Sequence, residues 1–127
     1  MRSTHNPSGV AAPSAAYAHG VKVDGAASWL HISGQIGTHP DGTLAGDSEA
    51  QMAMCWERII AILEDADMTV EDIVKVTAFI TRADDVSLYR EVRDRYLKGH
   101  LTASTLLVVS ALAHPDWTVE IEAVAAK

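Results

Sequence analysis

The chain has almost no cysteine: Cys55 is the only one among 127 residues. A single cysteine cannot form an intramolecular disulfide, which excludes a disulfide-stabilised scaffold. Cys55 stands beside Met54 and Trp56 in a helical pattern, so we interpret it as a buried thiol rather than a nucleophile. The sequence also lacks CxxC, HExxH, GxGxxG, Walker and GxSxG motifs. It therefore predicts no metal site and no phosphate-binding loop.

Positive charge and long apolar runs are also scarce. The chain carries 10 Lys and Arg against 17 Asp and Glu, a net charge of −7. Nucleic-acid-binding surfaces are basic, so we expect no nucleic-acid partner. No apolar run approaches the ~18 residues of a membrane span, and the first residues include no apolar segment of the kind found in signal peptides. We expect a soluble, cytoplasmic protein with no membrane partner.

The composition is that of a globular protein, with 48% hydrophobic and 21% charged residues. Its length suits one domain, which we place at 1–127, with residues 1–13 as a loose N-terminal lead-in. Hydrophobic periodicity then predicts the elements. In chain order these are strands at 17–23 and 29–33 forming a hairpin, a helix from Ser48 to about Ala66, a strand at 73–81, a helix from Asp84 to Lys98-Gly99, and strands at 104–112 and 117–125.

The order β-β-α-β-α-β-β predicts an α+β fold, a mixed sheet with two helices packed on one face. Ser48-Glu49-Ala50-Gln51 fits a capping box, with Asp47 adding charge at the helix start. The apolar run from Ser104 predicts a strand covered on both faces. The second sheet face has no helix to cover it, and we assign Val108 and Ile121 to it. A partner subunit is the expected cover, so we predict a homo-oligomer.

The second helix and the hairpin carry most of the remaining polar signals. The helix shows an inner stripe of Leu88, Tyr89, Val92 and Tyr96. Its outer side offers the i,i+4 pairs Arg90–Asp94 and Glu91–Arg95. His19 and His31 are placed to face each other across the hairpin, which favours a cross-strand polar pair over a metal site.

The last strand carries acids on one face. Glu120 and Glu122 alternate with Val119, Ile121 and Ala123. Such a face is either solvated or holds a working acid, because carboxylates are costly to bury without a partner or a use. Elsewhere, Gly34 and Gly37 flank Gln35 where backbone must turn or be approached closely.

Seven segments in order resemble the RidA family, also called the YjgF family. They are Pro13–Tyr17, Ile32–Gly37, Pro40–Gly42, Glu49–Gln51, Asp72–Thr77, Ala103–Thr105 and Val119–Ala123. The resemblance implies a chorismate-mutase-like fold and a homotrimer with sites in clefts between subunits. It also implies a cofactor-free hydrolysis of reactive enamines and imines to 2-oxo acids and ammonia.

The resemblance also supplies candidate residues. Glu120 matches the catalytic Glu, Tyr17 the pocket Tyr, and Ser33 and Gly34 the turn that lines the cleft. The family's Pro-Ala-Arg-Ser/Thr reads Thr102-Ala103-Ser104-Thr105 here, so Ser104 stands where a substrate-clamping Arg is expected. Arg90 falls where the family has Asn, and either replaces that cation or pairs with Asp94 on the surface. The predicted substrate-binding residues are Tyr17, Ser33, Gly34, Arg90, Ser104 and Thr105.

Three functions stay open at this point. The first is hydrolytic deamination of an enamine or imine, whose identity the missing Arg leaves undefined. The second is a non-catalytic small-metabolite binder that has kept the pocket. The third and weakest is a ribonuclease, since the chain is acidic.

Overall fold

A computed structural model describes residues 1–127 and has the predicted α+β architecture, a mixed sheet with two helices on one face. The strands are β1 (Arg2–His5), β2 (Gly20–Val23), β3 (Trp29–Ile36), β4 (Ile73–Ile80), β5 (Ala103–Val108) and β6 (Val119–Ala126); the helices are α1 (Ser48–Asp65) and α2 (Val86–Leu97). Short 3₁₀ helices span Val70–Asp72 and Ala83–Asp85. Neither α-helix combines the length and apolar character needed to cross a bilayer.

The main sheet has four strands in the order β3-β6-β4-β5. β6 pairs antiparallel with both β3 and β4, whereas β4 and β5 are parallel. Parallel neighbours need a crossover connection, and α2 provides it between β4 and β5. β5 is therefore an edge strand of the main sheet. Leu107 and Val108 near its end are 45% and 50% exposed, so the predicted coverage on both faces is wrong within one chain.

The predicted hairpin is also wrong. β2 pairs antiparallel with β1 in a separate two-stranded sheet, and β3 pairs with β6. Strand β1 thus lies within the segment expected to be a loose lead-in. A period-2 pattern predicts a strand but does not predict which strand it pairs with. β3 pairs with β6 because this position brings Leu30 and Ile32 to the hydrophobic core.

The two histidines of that hairpin are correspondingly apart. His31 pairs with Val124 of β6. The Nε2 atom of His19 lies 2.5 Å from the carbonyl oxygen of Ala11, and its ring packs edge-on against Tyr17. The predicted polar pair across the hairpin does not form.

The core lies between the helices and one face of the main sheet. Trp56 and Leu63 of α1, Val76 of β4 and Ile121 of β6 are fully buried there. Assigning Ile121 to the second face was therefore wrong. Assigning Val108 to it was wrong too, because Val108 pairs with the fully buried Ile80 and so lies on the helix side of the sheet. The second face instead carries Phe79 and Val124, both half-buried, and the exposed Leu107.

Helix α1 begins and ends close to its predicted bounds, but its cap differs. The side chain of Asp47 accepts a hydrogen bond from the Ala50 N–H at 2.9 Å, so Asp47 is the N-cap. Ser48 instead donates to the hydroxyl of Thr118 at 3.0 Å. The predicted Ser48 capping box is wrong because Ser48 is buried against the start of β6.

Candidate functional site

A small cleft opens between helix α2, strand β5 and the segment before β2. Its volume is about 190 Å³, and its lining is Ser14, Ala15, Tyr17, Arg90, Arg93, Ser104 and Leu106. Three predicted site residues, Tyr17, Arg90 and Ser104, therefore meet in one place. A parallel bridge between Ala18 and Ala103 holds Tyr17 beside Ser104, with the Ala18 N–H donating to the Thr102 carbonyl at 2.9 Å.

Strand register explains why Ser104 reaches this cleft and Thr105 does not. Ser104 pairs with Val76, whose side chain is fully buried under the helices, so Ser104 faces the helices as well. Thr105 points to the opposite face, where its hydroxyl accepts a hydrogen bond from Lys75 Nζ at 2.6 Å. Thr105 thus lies apart from the cleft of its own chain.

The side chain of Arg90 makes no hydrogen bond or ion pair with the rest of the chain. Its predicted partner Asp94 instead pairs with Arg93, whose Nε lies 2.9 Å from an Asp94 carboxylate oxygen. The other predicted helix pair is absent too, since Arg95 contacts Glu49 of α1 at 3.3 Å. The Arg90 side chain is thus left unpaired where it lines the cleft.

Arg93 is the functional candidate that sequence reasoning missed. Its side chain is only 4% exposed, and its Nη2 atom is buried with no hydrogen-bond partner. Its guanidinium carbon lies 6.0 Å from the centroid of the Tyr89 ring, within range of a cation–π contact. A buried donor without a partner typically costs about 1–3 kcal/mol. The signal in the sequence was position: Arg93 follows Tyr89 by four residues, on the inner stripe of α2.

The predicted acid lies on the opposite face of the sheet. Glu120 pairs with Phe79 of β4 and Ile36 of β3, between the fully buried Val119 and Ile121. Its side chain is half-buried and has no hydrogen-bond or ion-pair partner in the chain. Within one chain, no other group competes for this carboxylate.

Gly34 provides the room for this carboxylate. The pairing of β3 with β6 shifts register between Ile32 and Gln35, which places a β-bulge at Ser33 and Gly34. A Cβ atom on Gly34 would lie 2.0 Å from Glu120 Oε2, so the carboxylate rests directly on the glycine backbone. Ser33 and Gly34 are both exposed beside it.

The second glycine singled out in the sequence has a structural role. A Cβ atom on Gly37 would lie 2.6 Å from the Cα of Gln51, so β3 and α1 approach too closely for any side chain there. The close approach expected from the spacing of Gly34 and Gly37 is therefore present at both positions, against Glu120 at one and against α1 at the other.

Cys55 is a core thiol, as its helical context predicted. It is fully buried, and its Sγ lies 3.2 Å from the Gln35 carbonyl oxygen. Burial raises the pKa of the Cys55 thiol to about 12, which keeps it protonated at neutral pH. Only a thiolate is a good nucleophile, so Cys55 is not a reactive group.

The candidate residues therefore form two half-sites. The cleft half-site consists of Tyr17, Arg90, Arg93 and Ser104 on the helix side of the sheet. The acid half-site consists of Ser33, Gly34 and Glu120 on the other side. The sheet separates the two within one chain.

Comparison with known proteins identifies the family. The model of the family described as Endoribonuclease L-PSP matches residues 9–127. The chain belongs to the RidA family. A RutC family protein of Aquifex aeolicus is 35% identical over 117 residues, 91% of each chain. The 2-iminobutanoate/2-iminopropanoate deaminase of Salmonella typhimurium is 33% identical over 104 residues, 79% of this chain and 80% of that protein.

Solved structures of the RidA family share the fold. The Rid-family protein YyfB of Yersinia pestis superimposes with a TM-score of 0.88 at 26% identity, covering 99% of this chain and 98% of that one. The expected chorismate-mutase-like fold is thereby confirmed.

Proposed function

We propose that this RidA-family chain is a deaminase that hydrolyses reactive imines, and enamines through their imine tautomers, to carbonyl compounds and ammonia. The observation that carries the proposal is the half-buried Glu120 carboxylate, which rests on Gly34 without any partner. A relative similar over four-fifths of its length is named a 2-iminobutanoate/2-iminopropanoate deaminase, which supports the same reaction class.

The reaction needs one water and two proton transfers. Water adds to the carbon of the C=N bond while Glu120 takes one water proton and delivers it to the nitrogen, which gives the carbinolamine. Glu120 then takes the hydroxyl proton of the carbinolamine and delivers it to the same nitrogen, and ammonia leaves as the C=O bond forms. The balance is one imine and one water to one carbonyl compound and one ammonia, so the chemistry requires no redox partner. Acid–base catalysis of this kind typically contributes 10²–10⁴-fold.

The two half-sites suggest how a complete site is assembled. Tyr17 and Ser104 lie on the helix side of the sheet, whereas Glu120 lies on its other side. A second copy that packs against the uncovered face would bring its own cleft half-site to this chain's acid half-site. The exposed Leu107 and half-buried Phe79 on that face favour such packing. We propose the homotrimer that the family resemblance implies, with sites between subunits.

The alternatives make different predictions. A non-catalytic metabolite binder would be stabilised by ligands without any turnover. For a ribonuclease, the net charge of −7 is unfavourable, because RNA binding depends on neutralising phosphates with clustered cations.

The test is an imine-hydrolysis assay. Imino acids are generated in situ from several amino acids by an amino-acid oxidase, and semicarbazide competes for the imine as a reporter. The wild-type protein is expected to speed 2-oxo acid formation and to lower semicarbazone yield, and Glu120→Gln to lose at least a hundredfold of that activity. Glu122→Gln, an exposed acid on the same strand, is the matched control. No acceleration with any imine would overturn the proposal in favour of the binder.

A further inference from the structure

We infer that Arg90 and Arg93 bind the carboxylate of a small 2-oxo or 2-imino acid, so that helix α2 supplies the cation that strand β5 lacks at Ser104. The choice of substrate class rests on the proposed function, whereas the anion site itself rests on the cleft. Both arginines line that cleft, together with the hydroxyl-bearing Tyr17 and Ser104.

Arg93 is a donor prepared for a ligand. With Nε bonded to Asp94 at 2.9 Å and the side chain 4% exposed, its orientation is restrained. The buried Nη2 atom has no partner among the residues of the chain. Buried guanidinium nitrogens are normally hydrogen-bonded, and Arg93 is one of the residues that line the cleft, so Nη2 is the donor that we assign to an acceptor bound there.

The charges around the cleft favour an anion. Its lining contains two arginines and no Asp or Glu. Arg90 has no ion-pair partner, and Asp94 is half-exposed and contacts Arg93 through Nε. The protein as a whole carries a net charge of −7, so the two arginines make this cleft positive in a protein that is negative overall. Planar guanidinium groups match the two oxygens of a carboxylate through paired N–H donors.

The size and walls of the cleft restrict the ligand. A volume of about 190 Å³ is below the ~300–1,000 Å³ of pockets that hold drug-sized molecules. Ala15 and Leu106 provide apolar walls, and Tyr17 and Ser104 provide hydroxyls that have no partner in the chain. These features suit a short-chain acid with one neighbouring polar group, such as a three- or four-carbon 2-oxo acid.

The experiment measures binding of three probes to the intact protein by isothermal titration calorimetry and thermal shift. Sodium 2-oxobutanoate tests the acid, 2-butanone tests the same carbon skeleton without its carboxylate, and inorganic phosphate tests a general anion. We expect 2-oxobutanoate to bind at least tenfold more tightly than either of the others. Arg90→Met should weaken that binding at least tenfold without loss of folding, because Arg90 is exposed.

Two further variants complete the test. Arg95→Met removes an exposed arginine of the same helix that contacts Glu49 rather than the cleft, and it should bind 2-oxobutanoate like the wild type. Arg93→Lys keeps a cation but loses the planar set of guanidinium N–H donors. It should weaken the binding of 2-oxobutanoate while retaining the fold. Equal binding of 2-oxobutanoate to wild type and Arg90→Met would overturn the inference, as would equal binding of phosphate.

The same variants separate this inference from the proposed deaminase. Arginine-dependent binding of 2-oxobutanoate without imine hydrolysis would support the anion site and refute the deaminase. Hydrolysis of 2-iminobutanoate with an unchanged KM in Arg90→Met would support the deaminase and refute the anion site.

Discussion

Replacing Gly34 by alanine should damage catalysis while leaving the fold intact. The new Cβ would lie 2.0 Å from Glu120 Oε2 and 2.8 Å from its Cδ. The carboxylate must retreat to ordinary contact, near 3.4 Å, which is a displacement of about 1.4 Å. Misplacing a reacting group by ~1 Å can cost 10²-fold, so we expect kcat/KM for imine hydrolysis to fall about a hundredfold, or ~2.7 kcal/mol.

Stability should respond differently from activity. Gly34 is not among the residues with positive φ, so its backbone conformation is open to alanine. The new Cβ would meet Glu120 Oε2, which is the far end of a flexible side chain that can move aside. The free energy of unfolding should therefore change by less than about 1 kcal/mol.

Urea unfolding and the semicarbazide-coupled imine assay measure the two effects. Gly46→Ala is the matched control, since a Cβ there meets no atom within 4 Å, and it should leave both quantities unchanged. Wild-type kcat/KM in Gly34→Ala would refute the claim that the position of Glu120 matters. A loss of stability above ~2 kcal/mol would show instead that Gly34 serves the fold.

Three further outcomes are expected. Gln51→Leu should lower the free energy of unfolding by about 1–3 kcal/mol in urea, because the buried Gln51 Oε1 accepts from the Thr118 N–H at 3.0 Å; an unchanged value would contradict this. The folded Cys55 thiol keeps its proton up to about pH 12, whereas the unfolded thiol ionises near pH 9.0, so its contribution to stability is full below pH 9 and falls as pH rises to 12. Urea unfolding of wild type and Cys55→Ala at pH 8 and 10 should show a smaller difference at pH 10. Leu107→Asp should shift the protein from the proposed trimer to a monomer in sedimentation velocity, since Leu107 is 45% exposed on the uncovered face; an assembly that persists in this variant would exclude that face as the interface.

Some of the candidate site could be predicted from local sequence, and some could not. The resemblance groups Tyr17, Arg90 and Ser104, because the segments that carry them have a family-like order and spacing, and the structure places all three at one cleft. Arg93 was passed over because its place on the buried stripe of α2 is normally that of an apolar residue. The missing partner of its Nη2 atom is a property of the tertiary structure, in which Asp94 contacts only Nε.

The sequence by itself determined the elements: helix α1, helix α2 and the acid-bearing strand β6 follow from periods of 3.6 and 2, which depend only on neighbouring residues. The tertiary structure decided the partners. β1 rather than β3 pairs with β2, and the Ala18–Ala103 bridge places Tyr17 beside Ser104. It also placed Glu120 on the face opposite Ser104. Such pairings join residues far apart in the chain, and their choice depends on which arrangement buries the shared core, which no local pattern records.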